Sequence, residues 1–192
     1  MLITQLKSYD ELLSLAGDKT VIISCEGCRE IQLPENEVIA TCDKLLVIGT
    51  AIAVIVTDYV CSIENIKLYL QKYTGEIESS DTLLVFSCGV GVQTIASIFP
   101  SIPVYAACDT YPIPGYQGVT PSEFDCTGCQ KCHLNSTGGI CPVTACSKSL
   151  INGQCGGSKG GMCEVDKDIE CGWDRIYKKI KNISTIQEYF SI

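Results

Sequence analysis

The sequence predicts an α/β protein. A parallel, doubly wound sheet domain (residues 1–119) is followed by a small, irregular, cysteine-rich metal-binding domain with a C-terminal helix (residues 120–192). Three observations predict this. Short β-branched runs alternate with helix-spaced apolar residues through residues 1–110, the pattern of βαβ units. Cysteines recur just past the ends of the predicted strands, where sheets of this kind bind ligands. Eight of the fourteen cysteines then crowd into Cys126–Cys171, a stretch rich in glycine and poor in apolar residues. Such a stretch cannot offset its chain entropy by burial, so thiolate-bound metal or disulfides must hold it.

Leu2–Leu15 has apolar residues near helical spacing, with Ser8 and Asp10 as candidate caps, and predicts a packing helix. Thr20–Ser24 predicts a buried strand that ends at Cys25-Glu-Gly-Cys28. Pro34-Glu-Asn-Glu37 predicts a helix start, because proline and acids suit the first turn. Val38, Cys42, Leu45, Leu46 and Gly49 fall on one face of that helix, which makes Cys42 a core thiol rather than a ligand. Ala51–Thr57 predicts a second buried strand, reaching Cys61 shortly after its end. Ile63, Ile66, Leu70 and Tyr73 mark a helix, with Gly75 as its stop. Thr82–Phe86 is a third strand running to Cys88-Gly-Val-Gly91, Val92–Phe99 a helix, and Ile102–Ala107 a fourth strand ending at Cys108. The proline- and glycine-rich loop Thr110–Val119 marks the domain boundary.

Composition narrows the function. The formal charge of −8 argues against a nucleic-acid partner, which needs a basic surface. No targeting segment is visible at the start, and the longest apolar run, Leu45–Val56, falls short of the roughly 20 residues of a spanning helix. A cytoplasmic location is therefore expected, and thiols there bind metal more often than they form disulfides. The preferred ligands of a site at the sheet edge are Cys25, Cys28, Cys61 and Cys88. The alternative is that C-x-x-C binds zinc or is redox-active alone while the other thiols pack.

In the second domain Cys126, Cys129, Cys132, Cys141, Cys146, Cys155, Cys163 and Cys171 could form two four-ligand sites. Iron–sulfur clusters are often held by C-x-x-C-x-x-C with a remote Cys-Pro. Cys141-Pro142 lies too far past Cys132 for the bacterial ferredoxin spacing, so the pairing stays open and zinc remains an alternative for one site. His133, the one histidine, is a candidate ligand or a hydrogen-bond donor beside Cys132. Gly138-Gly139 and Gly156-Gly157 suit close approach of backbone N–H groups to cluster sulfurs. Trp173, Ile176, Tyr177 and Ile180 repeat at helical spacing opposite Arg175, Lys178, Lys179 and Lys181, giving either a partner-docking face or a cover for the chain's own domain.

Beyond the cysteines, the words Thr137-Gly-Gly-Ile-Cys-Pro-Val143, Cys146-Ser-Lys-Ser-Leu150, Cys155-Gly-Gly157, Gly161-x-Cys163-Glu164 and Cys171-x-Trp173-x-x-Ile-Tyr177 stand out. With them the chain resembles the cysteine-rich small subunit of the methylenetetrahydrofolate reductases of acetogenic and related bacteria, the methylenetetrahydrofolate reductase C-terminal domain family. The resemblance is dense over residues 126–177 and looser over 20–110, where Cys25, Cys28 and Cys88-Gly-x-Gly-Val-Gln-Thr94 carry it. It implies a partner, a flavin-containing catalytic subunit that binds the folate and performs the hydride chemistry. It also implies a role in one-carbon metabolism as an iron–sulfur electron conduit with [4Fe–4S] clusters, fed by ferredoxin or a further redox subunit. A zinc-stabilised scaffold in the same complex is the alternative. No catalytic dyad stands out, and Gly89-x-Gly91 is too short for a dinucleotide fingerprint.

Overall fold

A computed structural model describes residues 2–26, 28, 31–112 and 125–182. Its centre is a four-stranded parallel sheet of β2 (Thr20–Cys25), β4 (Ala51–Thr57), β5 (Thr82–Phe86) and β6 (Val104–Ala106), in the order β4-β2-β5-β6. β2 and β5 lie inside it and are buried along their whole length, as continuous β-branched and aliphatic runs require. β4 is one of the two edge strands. Its alternation of buried Ala51 and Ile55 with exposed Ile52 and Val56 replaces the fully buried strand expected from composition. From β2 the chain crosses outward to β4, then returns past β2 to β5, so the winding reverses between β2 and β5. Right-handed crossovers then put α2 (Glu35–Val47) on one face and α3 (Ile63–Leu70) with α5 (Gly89–Ile98), which pack together, on the other.

Several local expectations need correction. Leu2–Leu15 is not one helix: Leu2–Leu6 is strand β1, and only Tyr9–Leu15 is helical (α1), with the Ser8 hydroxyl accepting from the Glu11 N–H. β1 buries Thr4 and exposes Ile3 and Gln5, a period of two that the following helix masks in a longer window. It pairs in parallel with β3 (Ile31–Gln32) and antiparallel with β7 (Cys108–Pro112), forming a second, three-stranded sheet that the sequence reading lacks. The fourth predicted strand, Ile102–Ala107, is strand only over Val104–Ala106 (β6), and after Ala107 the chain continues into the other sheet as β7, which was not expected. Gly75 does not stop α3. Leu70 runs through a 3-10 turn, Gln71–Tyr73, into the short helix α4 (Thr74–Ser79), which contains Gly75. Helix α5 begins at Gly89, three residues before the expected Val92. Cys42 is buried in α2 as expected, with Val38 and Leu45 beside it, whereas Leu46 is exposed.

The loop expected over Thr110–Val119 is strand as far as Pro112, and its remainder, with the boundary at 119/120, lies outside the described residues. From Asp125 the cysteine-rich segment lies against the main core. Leu134 is buried within that core, and the Asn135 side chain pairs with the Ala106 backbone, accepting from its N–H at 2.6 Å and donating to its carbonyl at 3.3 Å. Asn135 thus satisfies the outer edge of β6 as a neighbouring strand would. After α6 (Pro142–Ala145) no residue from Val143 to Glu170 is buried, until α7 (Gly172–Asn182) packs Trp173, Ile176 and Ile180 with Cys171 into a small second core. No described helix is long and apolar enough to cross a membrane.

Candidate metal centre

In doubly wound sheets ligands lie beyond the carboxyl ends of the strands at the point where the winding reverses. Here that point is flanked by Cys25, the last residue of β2, and Cys88, two residues past β5 and the N-cap of α5. Cys28, in an isolated bridge to Ile31, and Cys61, past the end of β4, flank the same edge. Burial raises the Cys61 thiol above its ordinary pKa, and Cys25 and Cys28 push it further, which places these three within electrostatic reach of one another. Cys88 is pushed up to about 12, by burial first. The N–H groups of Gly91 and Val90 oppose that, while Cys126 and Cys25 add to it.

The influence of Cys126 on Cys88 shows where the cysteine-rich segment goes. Cys126 packs onto the N-terminus of α5, and a β-carbon at Gly89 would lie 2.9 Å from its Sγ. Gln93, one turn along α5, donates to the carbonyls of Asp125 (2.9 Å) and Gly89 (3.0 Å) and accepts from the Cys141 N–H (3.4 Å), so one side chain holds both ends of the Cys126–Cys141 loop. Strand β7 holds its middle. Asp109 accepts from the Cys132 N–H at 2.9 Å and pairs with the Lys7 ammonium at 3.2 Å, and the Thr110 carbonyl accepts from Gln130 N–H at 3.3 Å. Burial raises Cys126, Cys129 and Cys132, the last to about 12. Cys126 and Cys129 are raised further by Cys141, and Cys132 by Cys126. Cys108, wholly buried between Cys88 and Cys132, is raised by burial, Asp109 and both of those thiols.

Cys61, Cys88, Cys108, Cys126, Cys129 and Cys132 are thus all shifted toward the neutral form by burial where no cation is near. A bound metal ion reverses that preference, since a coordinating thiol is deprotonated outright. The donor set is soft and all-sulfur, and the N-terminus of α5 adds positive potential beside it, a chemistry that suits a thiolate-ligated iron–sulfur cluster rather than a single ion. Among the described residues no three His, Cys, Asp or Glu side chains converge at the spacing of a single metal ion.

The remaining four thiols form a separate group. Cys146, Cys155, Cys163 and Cys171 line one small cavity, closed by Trp173 and Gly172 at the start of α7. Trp173 is fixed by donating its indole N–H to the Leu150 carbonyl at 2.8 Å. The Cys171 N–H donates to Gly161 and the Cys163 N–H to Ile169, tying the turns together, and Lys148 pairs with Glu164 across the rim. The Cys163 thiol is held below its ordinary pKa by the Ser147 hydroxyl and the Val165 and Asp166 N–H groups. By position the eight late thiols fall into two groups, Cys126, Cys129, Cys132 and Cys141 toward the sheet edge and Cys146, Cys155, Cys163 and Cys171 around the cavity beside α7.

The docking face expected on α7 is not free. Trp173, Ile176 and Ile180 are buried against the chain's own Tyr105, Ile140 and Cys146, and of the four residues only Tyr177 is exposed. Lys179, placed opposite the apolar face by the sequence, reaches the Ala96 and Phe99 carbonyls at the end of α5. Burial lowers it to about 8. His133 precedes the 3-10 turn Leu134–Ser136, and its carbonyl accepts from the Thr137 hydroxyl at 3.0 Å. Sequence reasoning missed Gln93, Asp109 and Asn135. Gln93 stands in the Cys88–Thr94 word, but nothing local marks Asp109 or Asn135, whose partners lie 23 and 29 residues away.

Gly89→Ala is expected to drive Cys126 from the N-terminus of α5. The thiol can escape the added β-carbon by rotating about χ1, but a ligated cysteine cannot do so without leaving its metal. Metal retained by the anaerobically purified variant should fall while the sheet keeps its far-UV circular dichroism. Unchanged metal would show that Cys126 need not approach α5.

A model of the family described as methylene-tetrahydrofolate reductase C terminal matches residues 105–192, from β6 through both groups of late cysteines. No curated protein and no solved structure matches the chain. The cysteine-rich part of this chain is therefore similar to the C-terminal family of methylenetetrahydrofolate reductases.

Proposed function

We propose that this chain is an iron–sulfur electron-transfer subunit of a methylenetetrahydrofolate reductase complex, working with a separate flavin-containing catalytic subunit. One observation carries the reading. The segment that matches the reductase family brings Cys126, Cys129, Cys132 and Cys141 to the edge where Cys25, Cys28, Cys61 and Cys88 lie, and leaves four more thiols around a second cavity. In this proposal both groups hold iron–sulfur clusters, [4Fe–4S] by the number of thiolates, and the clusters pass single electrons between an outside donor and the flavoprotein. The chain's own residues bind and position: Gln93 and Asp109 hold the first loop, and Trp173 covers the second group. The electron donor is ferredoxin or a further redox subunit. A zinc-stabilised scaffold is the second reading: four thiolates match zinc's preferred donors, but the Cys146–Cys171 thiols would have to draw together to hold one ion.

The test is iron, zinc and acid-labile sulfide measured together on strictly anaerobically purified protein. Iron and sulfide in comparable amounts, with a brown colour, are expected, and zinc at one site is compatible. Zinc alone without sulfide overturns the electron-transfer role and leaves the scaffold.

A further inference from the structure

Between α2 and the outer face of β4 lies a groove of about 560 Å³ that the function above does not use. Its floor is buried and apolar: Cys25, Leu33, Val38 and Cys42. Its walls are exposed aliphatic side chains, Ile39 (60% exposed) and Leu46 from α2 and Val56 from β4. Val47 and Ile48 at the end of α2 and Ile52 of β4 are exposed as well. A helix and an edge strand of a stable sheet ordinarily present polar residues on such positions, and a contiguous apolar patch marks an interaction surface.

The chemistry of the rim says what covers it. The charged side chains lining the groove are Glu26, Glu35, Asp43 and Asp58, all exposed, with no basic side chain among the described lining residues. Four carboxylates around an apolar centre repel an acidic surface, including that of a second copy of this chain with its formal charge of −8. They attract an apolar segment flanked by lysine or arginine. The outer edge of β4, unpaired by any strand among the described residues, offers backbone groups to the same partner. Cys25 is both the floor of this groove and the end of β2 at the sheet-edge thiols, so whatever seats here lies beside that group.

We propose that the α2–β4 groove is the docking surface for the flavin-containing catalytic subunit, which inserts an apolar, basic-flanked segment over Ile39, Leu46 and Val56. This rests on the function proposed above. It takes the place of α7 as the docking surface, and it sets the flavoprotein beside the sheet-edge thiols rather than beside the Cys146–Cys171 group.

The experiment uses the full chain with its metal and the purified flavin-containing subunit as probe, with binding read by calorimetry at low and high salt. Ile39→Asp and the double variant Glu35→Lys/Asp43→Lys are each expected to weaken binding by at least about tenfold, the size of a lost interface anchor. Both should keep the wild-type iron content and circular dichroism, and raised salt should weaken the wild-type complex but not the charge-reversed one. Leu68→Asp, on exposed α3, is the control and should bind as wild type. If wild type binds and the groove variants bind within about twofold of it, a span of about 0.4 kcal/mol, the groove is refuted and the subunit function stands. If wild type does not bind the flavoprotein, the partnership fails and the groove assignment falls with it. If the chain alone sediments as a dimer and Ile39→Asp as a monomer, the groove joins two copies and the proposal is wrong.

Discussion

Cys155→Ala and Cys171→Ala are each expected to empty the thiol group under α7 and to unfold residues 147–170, while the sheet remains intact. None of those residues is buried. Their regular structure amounts to two isolated bridges, Lys159 to Met162 and Met162 to Glu170. Among the described residues the buried core nearby is Trp173, Ile176 and Ile180 with Cys171 itself. A bound structural metal contributes on the order of 10–16 kcal/mol to folding of a small site, as much as a whole domain's stability of about 5–15 kcal/mol. With no apolar burial to replace it, losing one ligand should release the segment. Cys129→Ala should behave differently. It should lose metal at the sheet edge, yet its loop should hold its place, because Leu134 in the main core, Asn135 on β6, Asp109 on Cys132 and Gln93 on Asp125 pin it without metal. Cys42→Ala, from the interior of α2, is the reference and should keep its full iron. Hydrogen exchange by mass spectrometry, read with iron per chain, checks all of these. Protection of 147–170 unchanged in the Cys155 variant would show that something other than metal holds the segment, and iron lost equally from the Cys42 variant would overturn the division of thiols drawn above.

That contrast also marks what could be read from the sequence. Strands β2, β4 and β5 were legible because each is a run of β-branched and aliphatic residues bounded by turn residues, and local pattern suffices where both faces or alternate faces are buried. The gathering of Cys25, Cys61 and Cys88 at one edge followed from strand direction alone. β1 and β7 were not legible, because they stabilise each other across more than a hundred residues and neither is apolar enough to stand out. The division of the eight late thiols was not legible either. It depends on Leu134 entering the main core and on Gly89 admitting Cys126, both of which are facts of packing between distant segments. The helical repeat of Trp173, Ile176, Tyr177 and Ile180 was correct as a periodicity, but periodicity cannot say which surface an apolar face meets. Here the face meets the chain's own Tyr105 and Ile140.

Electron delivery to the flavoprotein is expected to depend on this chain. With a low-potential donor present, the catalytic subunit alone should be reduced only at the background rate, and adding the metal-loaded chain should raise that rate well above it. The reason lies in where the thiols are. One group sits at the sheet edge beside the α2–β4 groove, and the other under α7, whose Cys146 side is joined to the first through the short helix α6 that begins directly after Cys141. A conduit needs an entry and an exit, and two thiol groups linked by one turn of helix would supply both within a single chain once each holds a cluster, as proposed above. The two groups can be separated by substitution. Cys155→Ala should block entry from the donor yet leave the complex with the flavoprotein intact, whereas Ile39→Asp should leave the metal reducible but deny it the flavoprotein. Stopped-flow absorbance, with flavin bleaching followed apart from the broad visible band of the chain, reads the two steps separately. If the flavoprotein accepts electrons equally fast without this chain, no relay operates, and the thiol groups serve to build a scaffold.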